Sequence, residues 1–212
     1  MNLFPFFENI EGRRFLIIGG GQTARQKLSV LRKFTDKITV VAEKTDLGDD
    51  AAAGSEILIL RKCFAPEDLE LGDYIVAATG DRELNREISQ LARQAGKPVN
   101  VVDDAELCTF VFPAVIRRGG LVIGVSTCGK SPAYAGYLRR EIESQIPDNI
   151  EDILDMMESC RSWLPEILPE QKARGAFLKE LLQRLLRGEI VCDGAGAEKA
   201  LAEEFRDRGR KQ

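Results

Sequence analysis

Three small residues near the start of the chain have the spacing of a phosphate-binding loop. Gly19, Gly21 and Ala24 fit the pattern G-x-G-x-x-G/A, between the apolar run 15–18 and a segment 24–31 with helical periodicity. The first glycine of this pattern forms a tight turn, the second lets the backbone approach a diphosphate, and the third small residue lets helix and strand pack closely. The loop therefore predicts a dinucleotide site, and a glycine-rich turn with only a structural role is the alternative.

The next predicted strand, residues 37–43, ends in an acid. Glu43 lies 22 residues after Gly21, close to the roughly 20 residues expected between the loop and the acid that binds the ribose hydroxyls. A carboxylate at this place favours NAD over NADP, because it would repel the 2′-phosphate of NADP. Lys44 beside it makes this preference smaller. We therefore expect NAD as the cofactor.

Two further polar residues lie at the ends of predicted strands. Thr79 is the last residue of the strand 74–79, and Asp103 follows the strand 99–102. Ligands of open α/β sheets bind beyond the carboxyl ends of the strands, so we expect these residues to meet the glycine loop at one rim. A carboxylate at this rim can take up a proton while a hydride leaves the substrate for the cofactor. Asp103 is therefore the catalytic candidate. Asp104 is its rival, and a solvated acid at a strand end is the alternative.

Composition excludes several classes of function. The chain has 212 residues, a net charge of −4 and 44% hydrophobic residues, so it can bury a core and carries no basic field for nucleic acid. It has no histidine, which excludes histidine-activated nucleophiles and H-E-x-x-H zinc sites. The five cysteines form no C-x-x-C pair, a pattern typical of a reducing compartment. We predict no metal ligands.

The first residues lack the basic start and apolar core of a secretion signal, and no apolar run is long enough to span a membrane. We expect a cytoplasmic protein without a membrane partner.

Strands alternating with helices predict an α/β fold with a Rossmann-type parallel sheet over residues 1–113. The pattern then changes to a β-hairpin and helix over residues 114–146, which we interpret as a dimerisation region because a lone hairpin is only marginally stable. Residues 147–212 predict a small C-terminal helical domain. Within it we expect one helix to stop at a break formed by Pro165 and Pro169, and residues 206–212 to form a frayed tail.

Several motifs together resemble the siroheme synthase family, which includes precorrin-2 dehydrogenases. The resemblance covers about residues 3–146 through motifs and the helical remainder by order alone. The matching segments are Phe4-Pro5 with Gly12-Arg13, the glycine loop 19–27, Ala77-Ala78-Thr79, and the segments 100–103, 110–114 and 126–132. Thr127 and Cys128 depart from the family, since this loop is often Ser-Gly there.

The resemblance implies NAD-dependent oxidation of precorrin-2 to sirohydrochlorin by a homodimer whose hairpin and following helix form the dimer region. Some family members also insert iron, and the aspartate at the position of Asp103 is implicated in both activities. The predicted cofactor site comprises Gly19, Gly21, Gln22, Thr23, Glu43, Lys44, Thr79 and Val102. The predicted substrate site comprises Ser126, Thr127, Lys130 and Arg117. Its basic residues would pair with substrate carboxylates, and a merely solvated basic face is the alternative.

Two other functions compete with this one. Residues 124–131 match the Walker A pattern G-x-x-x-x-G-K-[ST], and residues 99–103 resemble a Walker B strand, so a P-loop nucleotide enzyme is an alternative. Pro132 argues against it, because proline disfavours a helical Ser131 and removes an amide from the phosphate-facing turn. A non-catalytic module that senses NAD would share the glycine loop and need no Asp103.

Overall fold

The computed structural model describes residues 2–45, 57–190 and 197–209, and it confirms the predicted Rossmann-type α/β fold. The chain forms two compact units. One contains Met1–Ala114 and Val125–Ala135, and the other contains Val115–Gly124 and Gly136–Gln212. The division into regions 1–113, 114–146 and 147–212 stays a prediction, because compactness does not tell which segment joins two subunits.

Five parallel strands form the sheet of the first unit, in the order β3-β2-β1-β4-β5. The strands are β1 (Phe15–Ile18), β2 (Ile38–Val41), β3 (Leu58–Leu60), β4 (Tyr74–Ala77) and β5 (Val99–Val101). The chain runs from β1 outward to β3 and then returns to place β4 on the other side of β1. The order therefore reverses between β1 and β4, which is where open α/β sheets bind ligands.

Helices cover both faces of this sheet. Strand β1 is apolar throughout because successive side chains point to opposite faces and both faces are covered. Helix α1 (Gln22–Leu31) packs on the face that holds Phe15 and Ile17. Helix α2 (Arg82–Gln94) and a 3-10 helix (Pro66–Leu71) pack on the face that holds Leu16 and Ile18. The predicted polar connection 46–55 lies outside the described residues, as does Cys192.

The remaining elements in the described residues are a hairpin and four helices. The hairpin consists of β6 (Ala114–Arg118) and β7 (Leu121–Val125), and the helices are α3 (Pro132–Glu143), α4 (Ile150–Ile167), α5 (Gln171–Leu186) and α6 (Ala197–Gly209). Helices α4, α5 and α6 share one apolar core. None of the helices within the described ranges has both the length and the apolar content needed to cross a membrane.

Two predictions for the helical region are wrong. Helix α4 continues through Pro165 to Ile167. Proline removes one intrahelical hydrogen bond, but Leu164 and Leu168 on either side are buried, and the Leu168 amide still donates to the Leu164 carbonyl at 2.8 Å. The described part of the predicted tail, residues 206–209, is helical, because Ala202 is buried and the Phe205 ring lies 5.7 Å from the Phe177 ring. Residues 210–212 lie outside the described residues.

Candidate functional site

A cavity of about 770 Å³ lies at the carboxyl ends of the sheet strands. It falls in the size range typical of small-molecule and cofactor sites. Every residue that we predicted to bind the cofactor lines it, together with the catalytic candidate. These are Gly19, Gly21, Gln22, Thr23, Glu43, Lys44, Thr79, Val102 and Asp103. The expected meeting of several strand ends at one rim is therefore seen in the geometry of the first unit.

The three glycines of the loop differ in whether the surrounding backbone leaves room for a side chain. Gly19 has φ +123°, and a Cβ built on it would lie 2.2 Å from the carbonyl oxygen of Ala78. A Cβ on Gly20 would lie 2.2 Å from the carbonyl oxygen of Lys44, a restriction that the sequence analysis missed. A Cβ on Gly21 would meet nothing within 4 Å. Gly19 and Gly20 are thus required by the protein itself, whereas Gly21 leaves open space that a ligand can occupy.

The start of helix α1 differs from the start of helix α2. In α2, the Asp81 carboxylate caps the helix by accepting hydrogen bonds from the amides of Glu83 (2.9 Å) and Leu84 (3.2 Å). Helix α1 begins after Gly21 with no side-chain cap and no acid in its first turn. Its first amides therefore remain available, and with the helix dipole they favour an anion such as a diphosphate. The residues present fit a dinucleotide.

At the end of β4, Asn85 holds the backbone and hydroxyl of Thr79. The Asn85 Oδ1 accepts from the Thr79 amide (3.2 Å) and the Thr79 hydroxyl (2.7 Å), and its Nδ2 donates to the Thr79 carbonyl (3.1 Å). Asn85 is only 5% exposed. Thr79 thus shapes the cavity wall while most of its polar groups are bound internally. Sequence reasoning missed Asn85, although a polar residue beside the apolar positions Leu84 and Ile88 was a usable signal.

The two adjacent acids after β5 have different surroundings. Asp103 is exposed and has φ +61°, a left-handed conformation that is uncommon for residues other than glycine. The Oδ1 of Asp104 accepts hydrogen bonds from the amides of Glu106 (3.2 Å) and Leu107 (3.4 Å). Both acids line the cavity, but the Asp104 carboxylate is engaged in the loop structure, whereas Asp103 is the more exposed of the two.

Cys108 closes the loop that carries Asp103. Its Sγ accepts from the Val101 amide at 3.1 Å and lies 3.2 Å from the carbonyl oxygens of both Val101 and Asp104. Burial raises the pKa of the Cys108 thiol above its ordinary value, which keeps the proton needed for these contacts. Cys108 thus acts as a small polar link between strand β5 and the loop.

Lys27 of helix α1 places a half-buried ammonium group near the same loop. Its Nζ lies 4.5 Å from the centroid of the Phe112 ring, a cation–π contact. Burial lowers the pKa of Lys27, while the charge of Asp103 acts in the opposite direction.

None of the predicted substrate residues is among the described residues that line the cavity. Ser126, Thr127 and Lys130 lie on the loop between β7 and α3. The Ser126 hydroxyl accepts from the Cys128 amide at 3.1 Å, and the Thr127 hydroxyl accepts from the Ser131 amide at 3.0 Å. Arg117 lies on β6 in the other unit and is exposed. Their substrate role stays a prediction.

The same loop argues against a P-loop enzyme. Strand β7 pairs with β6 in a two-stranded sheet, whereas a P-loop follows a strand of the parallel sheet. The Ser131 hydroxyl accepts from the Tyr134 amide at 3.2 Å and so caps the start of helix α3. In the described parts of the chain, no group of three or more Cys, Asp or Glu is placed to hold a metal ion.

Comparison with known proteins gives two family matches. Residues 6–114 match the family described as "Putative NAD(P)-binding", and residues 118–145 match the family described as "Sirohaem biosynthesis protein central". The first match covers about half of the chain and includes every residue that lines the cavity. NAD(P) binding is thereby supported at the level of the family.

Two curated relatives of the chain are named siroheme synthase. The siroheme synthase of Neisseria meningitidis serogroup C (strain 053442) is 40% identical over 178 residues, which are 84% of this chain and 37% of the relative. The siroheme synthase of Zymomonas mobilis is 33% identical over 214 residues, covering 100% of this chain and 45% of the relative. The chain thus spans less than half the length of these curated relatives. A solved structure named "SirC, precorrin-2 dehydrogenase" has the same fold, with a TM-score of 0.72, 20% identity, and coverage of 97% of this chain and 100% of that one.

Proposed function

The chain belongs to the siroheme synthase family, and on this premise we propose that it uses NAD to oxidise precorrin-2 to sirohydrochlorin. One observation carries the proposal: a single cavity brings together the uncapped start of α1, the acid Glu43 and the exposed carboxylate of Asp103. The names of a relative, siroheme synthase, and of a structural neighbour, precorrin-2 dehydrogenase, support the choice of substrate.

From the strand order we assign cofactor binding to one end of the cavity and the reaction to the other. The amides that follow Gly21 would hold the diphosphate, and Glu43 after β2 would accept hydrogen bonds from the ribose hydroxyls. Asp103 follows β5, on the other side of β1 in the sheet. The reacting end of the cofactor would therefore be directed toward the wall formed after β4 and β5, where Asp103 lies.

The reaction removes one hydride and one proton from the substrate. NAD supplies the hydride acceptor when it is bound. The Asp103 carboxylate takes up the proton, since it is exposed to the cavity and Asp104 beside it already accepts two backbone hydrogen bonds. The hydride and the proton that leave the substrate thus each have an acceptor at one rim.

We propose iron insertion into sirohydrochlorin as a second activity, with the iron as a substrate and the macrocycle nitrogens as its ligands. An exposed carboxylate such as Asp103 can accept the protons that the macrocycle releases. Conversion of sirohydrochlorin to siroheme by added iron should run faster with protein than without it. Equal rates would remove this second activity and leave the first intact.

The main test is incubation with NAD and precorrin-2 while absorbance is followed. We expect the sirohydrochlorin chromophore and NADH to appear in equal amounts. A sensing module would bind NAD without a new chromophore, and a P-loop enzyme would bind ATP and not NAD. Either result would overturn the proposal.

A further inference from the structure

Helix α2 carries three polar side chains at intervals of four residues, Asn85, Ser89 and Arg93. Side chains four residues apart lie one above the other on a helix, so these three form a stripe. Asn85 is 5% exposed and Ser89 is 1% exposed, and Arg93 lies at the exposed end. Buried polar groups destabilise a protein unless they are hydrogen-bonded. The hydrogen-bond partners of the stripe therefore indicate its role.

The partners of the stripe belong to two segments that form the cavity wall. Asn85 makes its three hydrogen bonds to Thr79, which follows β4. The Ser89 hydroxyl donates to the carbonyl of Leu107 at 2.9 Å, and Arg93 Nη2 donates to the carbonyl of Glu106 at 3.3 Å. Thr79 and Leu107 both line the cavity, and Asn85 itself lines it with the small part of its surface that is exposed. One helix thus fixes the segment after β4 and the loop that presents Asp103.

We propose that Asn85 and Ser89 are positioning residues with separate effects, Asn85 on cofactor affinity and Ser89 on turnover. Asn85 sets the wall at Thr79, against which the cofactor would lie. Ser89 anchors the far end of the loop 102–107, and Asp103 sits in this loop in a left-handed conformation that the surrounding contacts must maintain. The effect on affinity requires only that the cavity binds NAD, whereas the effect on turnover rests on the proposed function.

The test compares Asn85→Leu and Ser89→Ala with a control, Lys97→Met. Lys97 follows the same helix, and its Nζ donates to the carbonyls of Leu69 (2.6 Å) and Gly72 (3.0 Å), neither of which lines the cavity. All three substitutions remove partly buried hydrogen bonds and should lower the melting temperature. The control therefore shows what a loss of stability alone does to binding and rate.

We expect Asn85→Leu to weaken NAD binding by about tenfold in calorimetry, the effect of losing about 1.4 kcal/mol of binding free energy, with kcat at saturating NAD changed less than twofold. Ser89→Ala should lower kcat several-fold and speed amide hydrogen exchange in residues 103–107, with NAD affinity unchanged. Lys97→Met should change neither quantity. If Asn85→Leu does not fold, Thr79→Val is compared with Thr79→Ser. The first removes the hydroxyl that contacts Asn85 and the backbone of Asp81, and the second keeps it.

Two results would overturn the inference. One is a loss of NAD affinity in Lys97→Met equal to that in Asn85→Leu, and the other is a Ser89→Ala protein with unchanged kcat and unchanged exchange in the loop. Failure of the proposed function looks different: the wild-type protein would bind NAD and leave precorrin-2 unchanged. In that case the affinity of Asn85→Leu and the exchange rates of Ser89→Ala still test the stripe.

Discussion

At the scale of single residues, the backbone of Asp103 decides how its role should be tested. Its φ of +61° is tolerated by Asn and Gly better than by Ala. Asp103→Ala would therefore combine loss of the carboxylate with backbone strain. Asp103→Asn removes the ionisable group and keeps both the shape and a residue type suited to this conformation.

We expect Asp103→Asn to lower the rate of precorrin-2 oxidation by about a hundredfold or more, the usual effect of losing a general acid or base. Its NAD affinity should stay within about twofold, because cofactor binding is assigned to other residues of the cavity. Steady-state rates and calorimetry measure the two quantities. Asp104→Asn is the control, since it retains an oxygen for the amides of Glu106 and Leu107. Full activity in Asp103→Asn would show that this carboxylate is not the base.

Glu43 gives a second prediction at this scale. It lines the cavity and is exposed, as is Lys44 next to it. Glu43→Gln removes the charge that would repel the 2′-phosphate of NADP, so the ratio of kcat/KM for NADP to that for NAD should rise by about tenfold. Glu67→Gln, an exposed acid that does not line the cavity, should leave the ratio unchanged. A ratio that stays constant in Glu43→Gln would place cofactor selection elsewhere.

Spacing along the chain predicted which residues would line the cavity. It did not predict the contacts at Gly20 and Asn85, because these depend on three-dimensional packing. Glu43 and Asp103 follow strand ends, so the parallel topology alone brings them to one rim. Gly20 was missed because the obstacle is the backbone of Lys44, which is distant in sequence. Asn85 was missed because its partners are hydrogen-bonding groups of Thr79, and periodicity describes only apolar positions.

At the scale of elements, an ion pair joins the starts of β1 and β4. Arg14 Nη2 lies 2.9 Å from Asp73 Oδ1, and the Arg14 amide donates to Asp73 Oδ2 at 2.9 Å. These contacts lower the pKa of Asp73 below its ordinary value. A carboxyl group with a lowered pKa in the folded state adds stability above its unfolded pKa and loses it as the pH falls through the folded one.

We therefore expect Asp73→Asn to reduce the melting temperature at pH 7 by no more than about 4 °C, because surface ion pairs contribute little. The difference from the wild type should shrink as the pH falls below about 4, the ordinary value for Asp. Calorimetric melting at several pH values measures this. Asp36→Asn, an exposed acid before β2, should show no such trend. A difference that is equal at pH 3 and pH 7 would contradict the role of the charge.

The elements themselves were predictable where sequence rules act locally. The alternation of short apolar runs with amphipathic segments predicted the parallel sheet. The prediction that a helix stops at Pro165 was wrong because it considered only the hydrogen bond that proline removes. The buried side chains on either side of Pro165 belong to the core of the helical unit and keep the helix intact. Tertiary packing outweighed propensity there.

At the scale of the whole molecule, the structure changes the reason for expecting a homodimer. The sequence argument was that a lone hairpin needs a partner. Within its own unit the hairpin has one, since Arg118 Nε lies 3.0 Å from Glu151 Oε1 and a Cβ on Gly119 would lie 2.8 Å from Glu151 Cγ. Helix α3 gives the reason for expecting association, since Tyr134 is 56% exposed and Tyr137 is 49% exposed.

We predict that the wild-type protein is a dimer at micromolar concentration and that the double variant Tyr134→Glu/Tyr137→Glu is a monomer. The two tyrosines are three residues apart and so lie on one face of α3. Aromatic residues are enriched at interfaces, and charged groups buried there without partners weaken association strongly. Light scattering gives the masses, and circular dichroism shows whether the variant is folded. Leu186→Glu alters an equally exposed apolar residue on α5, outside the predicted region, and should remain a dimer. A monomeric wild type, or a double variant that stays a dimer, would place association elsewhere than residues 114–146.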